Sequence, residues 1–134
     1  MSKEMTDAEK IAIGRKIVEY WGTKQWRALC DLMKPDAVLQ NMMFEPITGR
    51  EVVYKRWSSM SPPNKNCIME VERMGVIDGA LVIERRDVIT VDGVERAVAV
   101  VGILKFDGPL ISQWREYYDR SRLLWAQGTT AGPY

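Results

Sequence analysis

The chain contains no histidine. That absence excludes a triad built on an imidazole, a histidine general base, and the usual histidine-bearing zinc and non-haem iron sites. Any proton traffic must run through carboxylates, tyrosines, lysines or thiols. Cysteine is nearly absent too. Cys30 and Cys67 stand at no recognisable metal or redox spacing, which suits a cytoplasmic protein with free thiols. No apolar run reaches the roughly 18 residues that a membrane-spanning helix needs, and Met1 to Lys10 is too polar for a signal pattern. A formal net charge of +1 gives no electrostatic footprint for nucleic acid, and no basic run marks a membrane surface.

What is present is one chain of 134 residues, a single-domain length able to bury a core, with no repeat, low-complexity segment or linker. Thr6-Asp7-Ala8-Glu9 has capping-box spacing, and Ile11, Ile13, Ile17, Val18, Tyr20 and Trp21 recur at helical spacing behind it. These predict a helix over Asp7 to Trp21, stopped by Gly22. A second helix is expected over Lys24 to Met33, ended by Lys34-Pro35-Asp36. Ala37 to Met43 reads as a short strand, Phe44 to Gly49 as a turn, and Arg50 to Ser59 as a third helix.

After the loop Ser61 to Asn66 come four strand-like runs, Cys67 to Ile77, Leu81 to Val91, Arg96 to Phe106 and Leu110 to Asp119. Asp78-Gly79, Asp92-Gly93 and Asp107-Gly108 separate them, each a strong hairpin signal. A last helical stretch, Arg120 to Gln127, precedes a Gly- and Pro-containing tail expected to be disordered from about residue 128. The pattern is an α+β domain, with N-terminal helices covering one face of a curved sheet. A pocket between the concave face and the helices is the default small-molecule site.

Strand alternation then places the chemistry. In Glu84-Arg85-Arg86-Asp87-Val88, Arg85 and Asp87 share a face with Leu81, Ile83 and Ile89. An apolar face tolerates such a pair only if the charges satisfy each other or act on something. The pair is either a structural ion pair or part of a site. In the last strand, if Trp114 points inward then Glu116 and Tyr118 follow it. If Tyr117 does, Glu116 faces solvent. Leu39, Asn41 and Met43 share one side of the first strand. With Trp114 inward, the pocket would hold two carboxylates, an arginine, an amide and a phenol. One carboxylate paired closely to arginine stays ionised while burial raises the other, giving a base and an acid. The tryptophans and Met42-Met43 read as core packing, and Arg56 as part of a solvated face.

Leu39-Gln40-Asn41-Met42, Thr48-Gly49-Arg50-Glu51-Val52-Val53, Glu84-Arg85-Arg86-Asp87-Val88 and Trp114-Arg115-Glu116-Tyr117-Tyr118-Asp119 resemble, in order and spacing, the limonene-1,2-epoxide hydrolase family. The resemblance spans about Thr6 to Leu124. It implies the cone-shaped α+β fold of nuclear transport factor 2, SnoaL-like cyclases and ketosteroid isomerase, a homodimer, and catalysis without cofactor or metal. It implies Asp87 as the acid on the epoxide oxygen, Arg85 as the bridge between carboxylates, Asn41 as a water-holding amide and Glu116 as the base. Leu39, Met43, Ile83, Trp114 and Tyr118 are then expected to contact a small, mostly apolar epoxide. Two positions depart from the family: Leu39 stands where it has a water-binding tyrosine, and Glu116 where it has an aspartate. An isomerase or cyclase on the same scaffold, including epoxide opening by a substrate hydroxyl, is the alternative activity, and a non-catalytic binding or dimerisation module is a third reading.

Overall fold

The structure, a computed structural model, describes residues 4–42 and 44–128. Met43 and, of the tail expected to be disordered, residues 129–134 lie outside the described residues. The first helix, α1 (Asp7–Gly22), begins at the expected capping box. Thr6 Oγ1 accepts the Glu9 N–H at 3.1 Å and Glu9 Oε1 accepts the Thr6 N–H at 3.0 Å. α2 (Trp26–Cys30) is shorter than predicted. Lys24 takes a φ of 57°, off the helical path, and Met33 already belongs to the next strand.

That strand, β1 (Met33–Asn41), starts before the expected Ala37 and runs through Pro35. Its ladder with the last strand is irregular between Met33 and Val38, so the proline falls where no regular pairing is interrupted. The expected turn after it contains a two-residue strand, β2 (Ile47–Thr48), paired antiparallel through Val38 with Thr48 and Leu39 with Ile47. α3 (Arg50–Ser59) lies where the sequence predicts it.

The second half is the expected antiparallel meander of β3 (Lys65–Ile77), β4 (Ala80–Val91), β5 (Val94–Asp107) and β6 (Leu110–Tyr118), closed by α4 (Arg120–Ala126). Asp78-Gly79 has φ values of 49° and 80°, and Asp92-Gly93 of 49° and 79°. Positive φ at both central residues makes the tight turn whose twist matches paired strands. At the third turn Asp107 pairs with Leu110, so the two-residue loop is Gly108-Pro109 rather than Asp107-Gly108. The six strands form one mixed sheet in the order β2-β1-β6-β5-β4-β3, with β1 parallel to β6. Register shifts in β3 and between β5 and β6 supply the bends that curve it.

Apolar side chains gather in two clusters. The larger joins Ile17, Leu29, Met33, Leu39, Leu81 and Trp114 between the N-terminal helices and the sheet, and the smaller joins Ile89, Val98, Val100 and Ala126 under α4. Full burial of such side chains stabilises by about 1.5–3 kcal/mol apiece. A cavity separates the clusters. Among the described residues no helix is long and apolar enough to cross a membrane.

Candidate active site

Three adjacent strands carry the site. Across β4, β5 and β6 the register aligns Ile83 with Gly102 and Glu116, and Arg85 with Val100 and Tyr118. Glu116 therefore lies diagonal to Arg85, and Asp87 follows Arg85 by two residues on the same face. The Arg85 guanidinium grips both acids. Its Nε donates to Asp87 Oδ1 at 2.7 Å and its Nη2 to Asp87 Oδ2 at 3.2 Å. Nη1 donates to Glu116 Oε2 at 3.0 Å, and Nη2 also donates to Glu116 Oε1. All three side chains are buried: Arg85 is 3% exposed, Asp87 8% and Glu116 7%.

The close approach depends on Gly102. A Cβ there would stand 2.7 Å from Glu116 Oε2 and 2.9 Å from Arg85 Nη1. The glycine leaves the inner surface of β5 bare where the ion pair crosses it.

Two carboxylates on one guanidinium leave an uncompensated negative charge in a poorly solvated place, and a single bound proton neutralises it. Burial holds the Asp87 carboxyl above the usual carboxylate range. Arg85 pulls the other way, and the Glu116 charge adds to the rise. Burial would lower the Arg85 pKa, but Glu116 and Asp87 outweigh it and keep the guanidinium charged. Two acids held on one guanidinium in this way can serve as a proton donor and a proton acceptor.

The open question about β6 has a structural answer. Trp114 is fully buried, Glu116 follows it inward, Tyr118 lines the cavity, and Tyr117 is exposed. Burial, with Glu116 nearby, pushes the Tyr118 phenol pKa up. Asn41, opposite Glu116 in the parallel β1–β6 ladder, also lines the cavity, and its amide forms no hydrogen bond to another described side chain.

The cavity measures about 760 Å³, a size that takes a drug-sized ligand. Arg85, Asp87 and Glu116 are its buried end. Trp21, Trp26 and Trp57 form one wall, and Ile89, Val98 and Val100 part of another. Trp57 meets both Trp21 and Trp114 edge-on, with ring centroids 5.1 and 5.4 Å apart.

Of the residues expected at the site, Arg85, Asp87, Glu116, Asn41 and Tyr118 come together around this cavity. Leu39, Ile83 and Trp114 do not reach its wall. They are 1%, 0% and 0% exposed and belong to the larger core cluster, because Leu39 pairs with Trp114 and Ile83 lies one inward step beyond Arg85, where the sheet is already sealed. Sequence reasoning missed Gly102, although an isolated glycine inside a strand marks close backbone or side-chain approach. It also read the cavity-facing tryptophans as packing alone. Their convergence is tertiary and leaves no local pattern. Among the described residues no three acidic, thiol or imidazole side chains gather as metal ligands.

Similarity to known proteins agrees with the fold. Residues 8–128 match the family described as limonene-1,2-epoxide hydrolase catalytic domain. A LEH-like epoxide hydrolase of Mycobacterium tuberculosis superposes with a TM-score of 0.78 at 19% identity, over 90% of each chain. A protein of ketosteroid isomerase-like fold from Catenulispora acidiphila, solved with trimethylamine, gives 0.75 at 20% identity, over 88% of this chain and 93% of that one. A SnoaL-like polyketide cyclase from Shewanella putrefaciens gives 0.76 at 12% identity, over 94% and 100%. No curated protein sequence matches. At these identities the structures establish the fold, while the family match extends over nearly all of the described chain. The protein is therefore a member of the limonene-1,2-epoxide hydrolase family.

Proposed function

We propose that the protein hydrolyses an epoxide to a vicinal diol in one concerted step, without cofactor. The observation that carries this reading is the Arg85 guanidinium bonded to Asp87 and Glu116 together, at the buried end of a largely apolar cavity. Glu116 takes a proton from a water held with the help of Asn41. The water oxygen attacks one ring carbon, that carbon's bond to the epoxide oxygen breaks, and Asp87 protonates the departing oxygen. Water and epoxide are consumed, one diol forms, and a proton passing back from Glu116 to Asp87 resets the pair. Arg85 keeps its charge and fixes both acids. Each positioned proton transfer contributes about 10²–10⁴-fold, and orienting the water adds more.

Asp87→Asn is the decisive variant. It is expected to cut kcat by at least about 10²-fold while circular dichroism and urea unfolding still report a folded protein. Loss of the fold without any turnover by the unmodified protein would leave the clamp a structural ion pair.

One observation favours a second reading. Leu39, at the family's water-binding tyrosine, is buried in the core and offers the cavity no hydroxyl. On that ground the same acids serve an isomerase or cyclase, including ring opening by the substrate's own hydroxyl. Water labelled with heavy oxygen separates the two, since hydrolysis puts one label into the diol and the internal reactions put in none.

The outer sheet face, where Val82 meets Ile103 and Val101 meets Tyr117, supports a homodimer. Sedimentation equilibrium is expected to return twice the 15.4 kDa chain mass, and a monomer mass would remove the proposal. The free thiols of Cys30 and Cys67 support a cytoplasmic location.

A further inference from the structure

The cavity is not uniformly apolar. Its mouth carries Lys24, Arg56, Lys65 and Arg120, each from a different part of the chain, and one carboxylate, Glu45. Arg56, Arg120 and Glu45 are exposed, and Lys24 and Lys65 partly so. Elsewhere on the surface Arg27, Lys34, Arg73 and Arg86 each have a carboxylate partner. The mouth cations form no ion pair with a described carboxylate. Lys24 donates to the Pro62 carbonyl at 3.2 Å, which leaves further ammonium donors unused, and the Arg120 guanidinium lies 5.3 Å from the Phe44 ring.

The opposite end of the cavity has the opposite character. Arg85 there is already engaged by two carboxylates, so its positive charge is compensated before any anion arrives. Between the ends lie the tryptophan wall and the valines. A ligand matched to this profile has an apolar body reaching toward Asp87 and Glu116 and a negative group left at the mouth.

Resting on the hydrolase reading above, we propose that the substrate is an amphipathic epoxide with an anionic headgroup, carboxylate or phosphate, held by Lys24, Arg56, Lys65 and Arg120. The headgroup fixes which end of the molecule enters first and so which bond meets the acids.

The test begins with binding, which needs no turnover. Fluorescence from Trp21, Trp26 and Trp57 in the wall reports occupancy as decanoate, decyl phosphate and decanol are titrated in turn. The anions are expected to bind about tenfold more tightly than the alcohol, the sum of a few exposed charge contacts. That preference is expected to shrink as salt is raised and to collapse in the Arg56→Gln/Arg120→Gln double variant. Comparing decanoate with decyl phosphate identifies the favoured headgroup.

The second arm compares hydrolysis of decenoic acid's terminal epoxide with that of its methyl ester. The acid is expected to have the lower KM and the ester a similar kcat. Equal binding of alcohol and anions, or a preference indifferent to salt, overturns the proposal whatever the turnover. Anion-selective binding with neither epoxide consumed keeps the ligand class and overturns the hydrolase reading. Equal hydrolysis of acid and ester with equal binding does the reverse.

Discussion

Replacing Gly102 with alanine would drive a methyl group to 2.7 Å from Glu116 Oε2 and 2.9 Å from Arg85 Nη1. Both distances are shorter than packed atoms sustain, so the ion pair must part or β5 must move. A displacement near an ångström at a reacting group costs about 10²-fold. Gly102→Ala is therefore expected to lower kcat by about that factor with little change in KM, and to cost about 1–3 kcal/mol of stability as overpacking does. Steady-state kinetics and urea unfolding check the two parts separately.

Asp87 supplies a pH signature at the same scale. In the proposed reaction it must carry a proton, so activity falls as pH rises through its elevated pKa. The stability effect has the same sign. Above the ordinary carboxylate range the unfolded chain has released a proton that folded Asp87 still holds, so stability declines with rising pH until the folded value is passed. Asp87→Asn is expected to remove that contribution to the slope in urea midpoints measured across pH. Arg85 and Asp87 were legible in the sequence because strand alternation has a period of two and charged residues on an apolar face stand out, whereas Glu116 was legible only as one of two possible orientations until the burial of Trp114 turned it inward. Gly102 was not singled out, since a glycine announces space without naming what fills it.

At the scale of elements, α4 forms part of the cavity wall through Leu123 and Leu124, with Gln127 just past its end, yet it has seven residues. Isolated helices so short do not persist, so its ends must be tied down. The Asp119 carboxylate caps it by accepting the Arg122 N–H at 3.1 Å, and Arg122 Nε donates to the Ala97 carbonyl at 3.1 Å. Asp119→Ala is expected to cost about 1 kcal/mol and to raise KM more than it lowers kcat, because the wall frays while the clamp on β4 and β6 stays. Element type and order were legible throughout the second half, where alternating apolar residues and Asp-Gly pairs agree. The weak point was the stretch from Lys24 to Thr48. There the positive φ of Lys24 shortens α2, and β2 exists by pairing with β1 rather than by its own two residues.

At the scale of the molecule, the cavity exists because the apolar side chains divide into two clusters with the charged clamp between them. Helices over one face of a curved sheet were readable from the order of elements. The wall of tryptophans and the basic mouth were not, since Lys24, Arg56, Lys65 and Arg120 meet only after the chain has folded.

The edge-on rings of Trp57 and Trp114 have a practical outcome for anyone reshaping this protein. Trp114 precedes Glu116 by two residues on β6, so carving room at Trp57 also loosens the strand that bears the base. Trp57→Ala should admit bulkier molecules yet lose stability by about 3–5 kcal/mol and slow the reaction. Leu123→Ala, trimmed from the α4 side, should broaden substrate range with kcat preserved. Substrate size and speed are thus geared together along one flank and independently adjustable along the other.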